Sequence, residues 1–176
     1  MTKKRAVFLD RDGVLNIPII KKKKSYAPLK FHDFKLYPNL DFYCKKLKLY
    51  FLIIVVTNQP DIKRKKIKNN DLTKMHEKLK NKINYDDLFY CTDISKKSFY
   101  KKPNLGMFLK AIKKYNIDPK KSYLIGDRWS DIEPGNKLGC KTIFIDRKYD
   151  EKQPKNIFMK VKSFSEAARI ILNDQS

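Results

Sequence analysis

Phe8-Leu9-Asp10-Arg11-Asp12-Gly13-Val14-Leu15-Asn16 is the stretch on which the reading of this chain turns. The run Ala6-Val7-Phe8-Leu9 has the apolar character of a buried strand, and two carboxylates, Asp10 and Asp12, leave its C-terminal end. Gly13 lets the chain turn away there. A strand end of this kind puts a nucleophile and a proton donor into one small pocket, which suits phosphoryl transfer through an aspartyl-phosphate. Asp-x-Asp-Gly also occurs in calcium loops and ordinary turns, so the stretch alone leaves those readings open.

Three later segments change that balance. Leu52-Ile53-Ile54-Val55-Val56 is a second apolar, β-branched run and ends in Thr57-Asn58-Gln59, which brings a hydroxyl and two amides to another strand end. Next comes Lys101-Lys102-Pro103. Pro103 disfavours the helical region for Lys102, which is expected to enter from an extended segment with a cation available for phosphate oxygens. Tyr123-Leu124-Ile125-Gly126 ends in Asp127, and Asp131 follows in Gly126-Asp127-Arg128-Trp129-Ser130-Asp131. These acids, at a third strand end, could hold a divalent cation through oxygen ligands.

Strand signals at Arg5–Leu9, Phe51–Val56, Leu88–Cys91, Tyr123–Ile125 and Thr142–Ile145 alternate with helix signals. Leu72, Met75, His76, Leu79 and Ile83 recur at helical spacing, as do Met107, Phe108, Ala111, Ile112 and Tyr115. Met75 and His76 read as packing and surface of their helix. Ser163 with Glu166 forms a capping-box pattern that opens a last helix carrying Ala167, Ile170 and Ile171. The alternation predicts an α/β fold, a parallel sheet with helices on both faces. The loop from Ile17 to Asp33, about 17 residues, contains Lys21-Lys22-Lys23-Lys24; a loop that long is functional or disordered. Its lysines read equally as contacts to a second phosphate and as a solvated run.

At 176 residues the chain is expected to be one domain over residues 1–176, and no segment is long enough for a separate cap. Cys44, Cys91 and Cys140 are few, odd in number and widely spaced, which fits a reducing cytoplasm rather than a disulfide framework. The apolar run after Arg5 is too short for a signal-peptide core or a membrane span. The expectation is therefore a soluble cytoplasmic monomer with no membrane partner. The net charge of +22 raises the question of nucleic acid. Lysine dominates it, and isoleucine and asparagine are also abundant, a skew expected of an AT-rich genome. Whatever its origin, the positive field would draw a phosphorylated substrate towards the site.

In their order and spacing these segments resemble the four motifs of the haloacid dehalogenase (HAD) phosphatase superfamily, over about Val7 to Ile145. Asp10-Arg11-Asp12-Gly13, Val56-Thr57-Asn58-Gln59, Lys102-Pro103-Asn104-Leu105-Gly106-Met107 and Gly126-Asp127-Arg128 are most similar to the capless heptose bisphosphate phosphatases. Histidinol-phosphate phosphatases and the 3′-phosphatase domain of polynucleotide repair enzymes are near relatives. The resemblance implies a HAD-like Rossmannoid three-layer sandwich with a central parallel sheet and no cap domain. It also implies an Mg²⁺-dependent phosphomonoesterase.

In that reading Asp10 is the nucleophile, Asp12 the general acid and base, and Thr57 and Lys102 bind the transferring oxygens. Mg²⁺ is held by Asp10, the Asp12 backbone carbonyl and Asp127. Asp131 orients Lys102 or water at the metal; its rival role is that of a helix N-terminal acid. Arg11, Asn58, Gln59, Lys101 and Arg128 take positions of substrate recognition. Lys101 stands where the family usually carries arginine and lacks the planar fork. The substrate implied is a small sugar phosphate, heptose 1,7-bisphosphate, which loses one phosphate in the making of a nucleotide-activated surface sugar. Polynucleotide 3′-phosphatase and histidinol-phosphate phosphatase are the alternatives; a non-enzymatic binding module is disfavoured because every catalytic position is kept. Relatives also carry a structural zinc loop of Cys-x-His and Cys-x-Cys, where this chain reads Cys91-Thr92-Asp93 and Ser98-Phe99-Tyr100. One soft ligand cannot close a tetrahedral zinc site, so no structural zinc is expected, and Phe99 and Tyr100 are expected to tie the loop down by packing.

Overall fold

The four residues of β1 (Ala6–Leu9) are all fully buried, as a short apolar run in the middle of a parallel sheet must be. The computed structural model describes residues 2–175. In it β1 pairs in parallel with β4 (Leu52–Asn58) on one side and β6 (Tyr123–Gly126) on the other. Beyond β4 lies β5 (Asp87–Cys91), and beyond β6 lie β7 (Lys141–Ile145) and β8 (Met159–Val161). The sheet order is β5-β4-β1-β6-β7-β8, and every pairing within it is parallel.

Chain connection changes direction at β1, whose neighbours β4 and β6 lead outwards to opposite edges. A parallel sheet opens a crevice beyond its strand ends at such a switch point. Leu9 pairs with Val55 and with Ile125, so Asp10 leaves the sheet level with Val56 and Gly126, one residue short of Thr57 and Asp127. Register alone therefore brings three of the sequence motifs together.

The two-residue period of the strands divides the core. Val7, Leu9, Ile53, Val55, Ile125 and Ile143 face a layer made by α1 (Leu40–Leu47), α3 (Asn69–Ile83) and α6 (Phe164–Asn173). Ala6, Phe8, Ile54, Val56 and Leu124 face α4 (Gly106–Tyr115) and α5 (Trp129–Leu138). Phe8 meets Phe108 of α4 edge-on at 5.5 Å, and losing either ring would cost roughly 3–5 kcal/mol through the cavity left behind. This is the three-layer α/β sandwich expected from the sequence, and among the described residues no cap domain is present. Ser163 caps α6 by accepting from the Glu166 N–H at 3.2 Å, while the Glu166 carboxylate reaches back to the Lys162 N–H at 2.8 Å.

Elements differ from the sequence reading in four main places. β4 runs two residues further than Val56, because Thr57 and Asn58 continue the pairing with Tyr90 and Cys91. The stretch read as a loop after β1 contains an antiparallel hairpin, β2 (Ile19–Lys21) with β3 (Lys24–Tyr26), followed by a 3-10 turn over Phe31–Asp33. Its two-residue turn places Lys22 and Lys23 at φ 49° and 57°, a conformation normally signalled by glycine or asparagine. β8, at the sheet edge, is too short to show a period. A four-residue helix, α2 (Pro60–Lys63), follows Gln59.

Candidate active site

At the end of β1 the Asp10 N–H donates to the Ile125 carbonyl at 3.0 Å, which fixes where the carboxylate leaves the sheet. Lys102 meets it from the irregular stretch between β5 and α4. The Lys102 ammonium lies 2.5 Å from Asp10 Oδ1, 2.7 Å from the Val56 carbonyl and 2.8 Å from Asp131 Oδ1, so its three donors are all engaged. Both Asp10 and Lys102 are buried. Asp10, Asp127 and Asp131 each offer a carboxylate oxygen within 4.8 Å of the others, and Lys102 is the cation paired with two of them.

Two glycines make this crowding possible. A Cβ on Gly13, whose φ is +93°, would lie 1.8 Å from Asp127 Oδ2; one on Gly126 would lie 2.3 Å from the Asp131 Cβ. Asp127 Oδ2 accepts from the Tyr149 hydroxyl at 2.8 Å, while Oδ1 is buried without a hydrogen-bond partner. Burial pushes the Asp10 carboxyl up to about 7; Lys102 opposes this, and Asp131 and Asp12 add to it. Burial, then Asp10 and Asp131, hold Asp127 well above the ordinary carboxylate range. Burial alone would lower Lys102, but the attraction of Asp10 and Asp131 outweighs it and raises the ammonium above its usual value. The cluster has more acid than one lysine balances.

Asp12 points into the same pocket, and its carboxylate is held by donors on both oxygens. Arg11 Nη2 lies 2.9 Å from each oxygen, Asn16 Nδ2 3.1 Å from Oδ1 and Gln59 Nε2 2.7 Å from Oδ2. Gln59 Nε2 also donates to Thr57 Oγ1 at 3.0 Å, leaving the Thr57 proton free to donate into the pocket. Arg11 and Gln59, read from the sequence as substrate-binding, are both fully buried and do not line the pocket. In the structure both side chains turn away from the pocket, Arg11 onto Asp12 and Gln59 onto Asp12 and Thr57. Arg11 is itself held, 3.1 Å from His76 Nε2 and 5.3 Å over the Phe34 ring. Burial, and then the Arg11 charge, push His76 down to about 3, so its neutral ring can accept from Arg11. The sequence placed His76 on the packing and surface of its helix. Its contact with Arg11 had no sequence signal, because it is made across two elements.

Asn58 is similarly engaged. Its amide donates to the Lys102 carbonyl at 3.1 Å and accepts from the Lys102 N–H at 3.0 Å, a reciprocal pair that sets Lys102 against the end of β4. It still lines the pocket, as do Lys101 and Arg128. Lys101 Nζ donates to the Ile94 carbonyl at 2.5 Å, and Arg128 pairs with Glu151 at 2.8 Å. Asp131 Oδ1 meets Lys102, while Oδ2 accepts the Arg128 N–H at 3.1 Å at the start of α5. The cavity measures about 370 Å³ and opens to solvent; Lys24 and Tyr26 of the hairpin form part of its rim.

The segment that carries zinc ligands in the resembled family is tied here by polar contacts. Ser98 donates to Asp93 at 2.6 Å, Lys63 pairs with Asp93 at 2.9 Å, and Cys91 Sγ lies 4.0 Å from Ser98 Oγ. Phe99 and Tyr100, expected to anchor the segment by packing, are instead 57% and 47% exposed and stack edge-on against each other. Phe99 holds through its carbonyl, which accepts the Gly106 N–H at 2.9 Å.

A family model described as HAD-hydrolase-like matches residues 99–158. The D-glycero-alpha-D-manno-heptose-1,7-bisphosphate 7-phosphatase of Campylobacter jejuni is 32% identical over 170 residues, 93% of this chain and 94% of that protein. The bifunctional histidine-biosynthesis protein HisB of Bacteroides fragilis is 30% identical over 84% of this chain, which spans 41% of it. Among solved structures, the D,D-heptose 1,7-bisphosphate phosphatase of B. bronchiseptica, complexed with magnesium and phosphate, superposes with a TM-score of 0.79 at 20% identity, over 97% of this chain and 99% of that one. A parallel sheet whose central strand ends in paired aspartates beside a buried lysine, with relatives of this kind, defines a phosphatase. The chain belongs to the haloacid dehalogenase superfamily.

The residues present suit a divalent cation. A buried carboxylate oxygen without a donor, Asp127 Oδ1, sits in a cluster of three acids that share a single lysine, which pairs with two of them. Hard oxygen donors are the ligands that magnesium takes.

Proposed function

We propose that this protein is a magnesium-dependent sugar-phosphate phosphatase that removes one phosphate from heptose 1,7-bisphosphate, with residues 1–176 forming one catalytic domain. The observation that carries the reading is the convergence of Asp10, Asp12, Thr57 and Lys102 on one open pocket beside the Asp10–Asp127–Asp131 cluster. The heptose bisphosphatase of Campylobacter jejuni aligns with 93% of the chain. Four cations at the pocket besides Lys102, namely Lys24, Arg64, Lys101 and Arg128, suit a substrate with a second phosphate.

Asp10 and Asp127, with the Asp12 carbonyl, would hold the Mg²⁺. When bound, the ion offsets the repulsion between the Asp10 carboxylate and the phosphate dianion. Asp10 attacks phosphorus as a carboxylate, the P–O ester bond breaks, and Asp12 gives its proton to the leaving oxygen. Asp12, now a carboxylate, takes a proton from water as the water attacks phosphorus. The aspartyl-phosphate bond then breaks, freeing Asp10 and inorganic phosphate. The Thr57 hydroxyl donates to a transferring oxygen, and Lys102 counters charge that develops there. Arg11, Asn16 and Gln59 keep Asp12 from rotating away between the two proton transfers.

A phosphate-release assay over heptose 1,7-bisphosphate, histidinol phosphate and a 3′-phosphorylated oligonucleotide tests the reading. The heptose substrate should exceed the oligonucleotide in kcat/KM by at least about tenfold, which is ~1.4 kcal/mol of differential transition-state binding. Preference for histidinol phosphate would follow the match to the histidine-biosynthesis protein instead. Faster turnover of the oligonucleotide, weakening steeply with salt, would make the +22 charge a nucleic-acid footprint.

A further inference from the structure

The segment after β7 reaches back to both aspartate motifs. Asp146 accepts the Lys148 N–H at 2.9 Å and fixes a turn in which Lys148 adopts φ 58°. That turn sends Arg147 and Tyr149 inwards. Arg147 grips the Gly13 carbonyl with Nε at 3.0 Å and Nη2 at 2.9 Å, and its guanidinium stacks 4.5 Å over the Tyr37 ring. Tyr149 is buried, and its hydroxyl donates to Asp127 Oδ2 at 2.8 Å.

Asp127 thus has a wall on one side and a donor on the other. The missing side chain of Gly13 leaves the space that Asp127 Oδ2 fills, and a Cβ there would also come within 3.1 Å of the Tyr149 hydroxyl. With Oδ2 fixed in this way, the carboxylate cannot turn about its last bond, and the partnerless Oδ1 is the oxygen left to take a cation. A carboxylate that binds a metal gains affinity when its other oxygen is held by a donor, because the binding orientation no longer has to be selected from many.

We infer that Tyr149 is the positioning residue of the cation site, holding Asp127 so that Oδ1 faces Asp10 and Asp131. The inference rests on the proposed magnesium role of Asp127. The same segment also supports the hairpin at the pocket rim, since the Asp150 N–H donates to the Lys23 carbonyl at 2.9 Å. A change at Tyr149 that left the turn intact would alter the cation site without unseating the hairpin.

Tyr149→Phe removes one oxygen and keeps the ring. Magnesium binding is measured by titration calorimetry without substrate on the wild type, Tyr149→Phe and Asp127→Asn, with thermal unfolding in excess chelator as the check on folding. The wild type should bind, Asp127→Asn should show no binding, and Tyr149→Phe should bind roughly tenfold more weakly, the lower end of what loss of a ligand's hydrogen-bond partner costs. Equal affinity of Tyr149→Phe and wild type, whether or not the melting temperature falls, would assign the phenol to packing and overturn the inference while leaving the magnesium reading intact. No binding by the wild type would overturn both.

Discussion

Asp127→Asn separates two consequences of the acidic cluster that oppose each other. Without a cation, Asp10, Asp127 and Asp131 crowd their carboxylates within 4.8 Å around Lys102. Two unit charges ~5 Å apart repel by ~3 kcal/mol at an effective dielectric constant of ~20, and protonation relieves part of that near neutral pH. An amide at position 127 carries no charge, and its oxygen can still accept from the Tyr149 hydroxyl. We therefore expect the metal-free variant to be more stable than the metal-free wild type by about 1–3 kcal/mol. In a domain of this size each kcal/mol moves the melting temperature by roughly 2–4 °C, so the rise should be several degrees. The wild type should gain ~2.7 kcal/mol from magnesium at about 100 times its Kd, and the variant should gain almost none. Thermal unfolding at pH 8, in chelator and in magnesium, reads both effects. A variant that melts lower than wild type in chelator, or that gains as much from magnesium, would refute the argument that these acids are held together for a cation.

Other expected outcomes follow from the same geometry. Asp10→Asn should abolish turnover, whereas Asp12→Asn should slow both formation and breakdown of the aspartyl-phosphate; steady-state and single-turnover phosphate release distinguish them, and an active Asp10→Asn protein would exclude the covalent route. Burial raises Asp10 from 3.8 to about 7, so the metal-free folded state keeps a proton that the unfolded chain has released; that stabilisation is full below about pH 4 and is lost as pH rises through about 7. The metal-free protein should accordingly melt lower at pH 8 than at pH 6, and a higher melting point at pH 8 would contradict the shift. The purified protein should contain no stoichiometric zinc, since Asp93 and Ser98 already satisfy each other; elemental analysis showing about one zinc per chain would prove otherwise.

The central strands β1, β4, β6 and β7 were legible because they are largely buried on both faces and read as apolar runs. The ends of β1 and β6 were legible because Asp10 and Asp127 have no reason to follow such runs other than to leave them, whereas Thr57 continues the pairing of β4. Pairing is a different matter. The sequence put Arg11 and Gln59 among the substrate contacts, and only the fold reveals that they turn inwards onto Asp12. Motif spacing assigns a residue to a strand end but not to one side of it. The hairpin was hidden for a local reason, since its turn uses Lys22 and Lys23 at positive φ, where no glycine or asparagine marks it.

Arg147 and Tyr149 are among the residues that sequence reasoning missed, and the signal for them was positional. Thr142–Ile145 was already recognised as a strand, and in a parallel sheet whatever follows a strand's C-terminal end faces the crevice. Applied to β7, that rule points at Asp146-Arg147-Lys148-Tyr149, a polar run that matches no motif. Its residues touch no substrate position directly. Their contacts go to the Gly13 carbonyl and the Asp127 carboxylate, and through them to the two aspartate motifs. The first motif supplies the reacting carboxylate and the last motif its proposed cation ligand, and the pairing of β1 with β6 already sets their backbones side by side. A third strand end then braces both, through the Gly13 carbonyl and the Asp127 carboxylate.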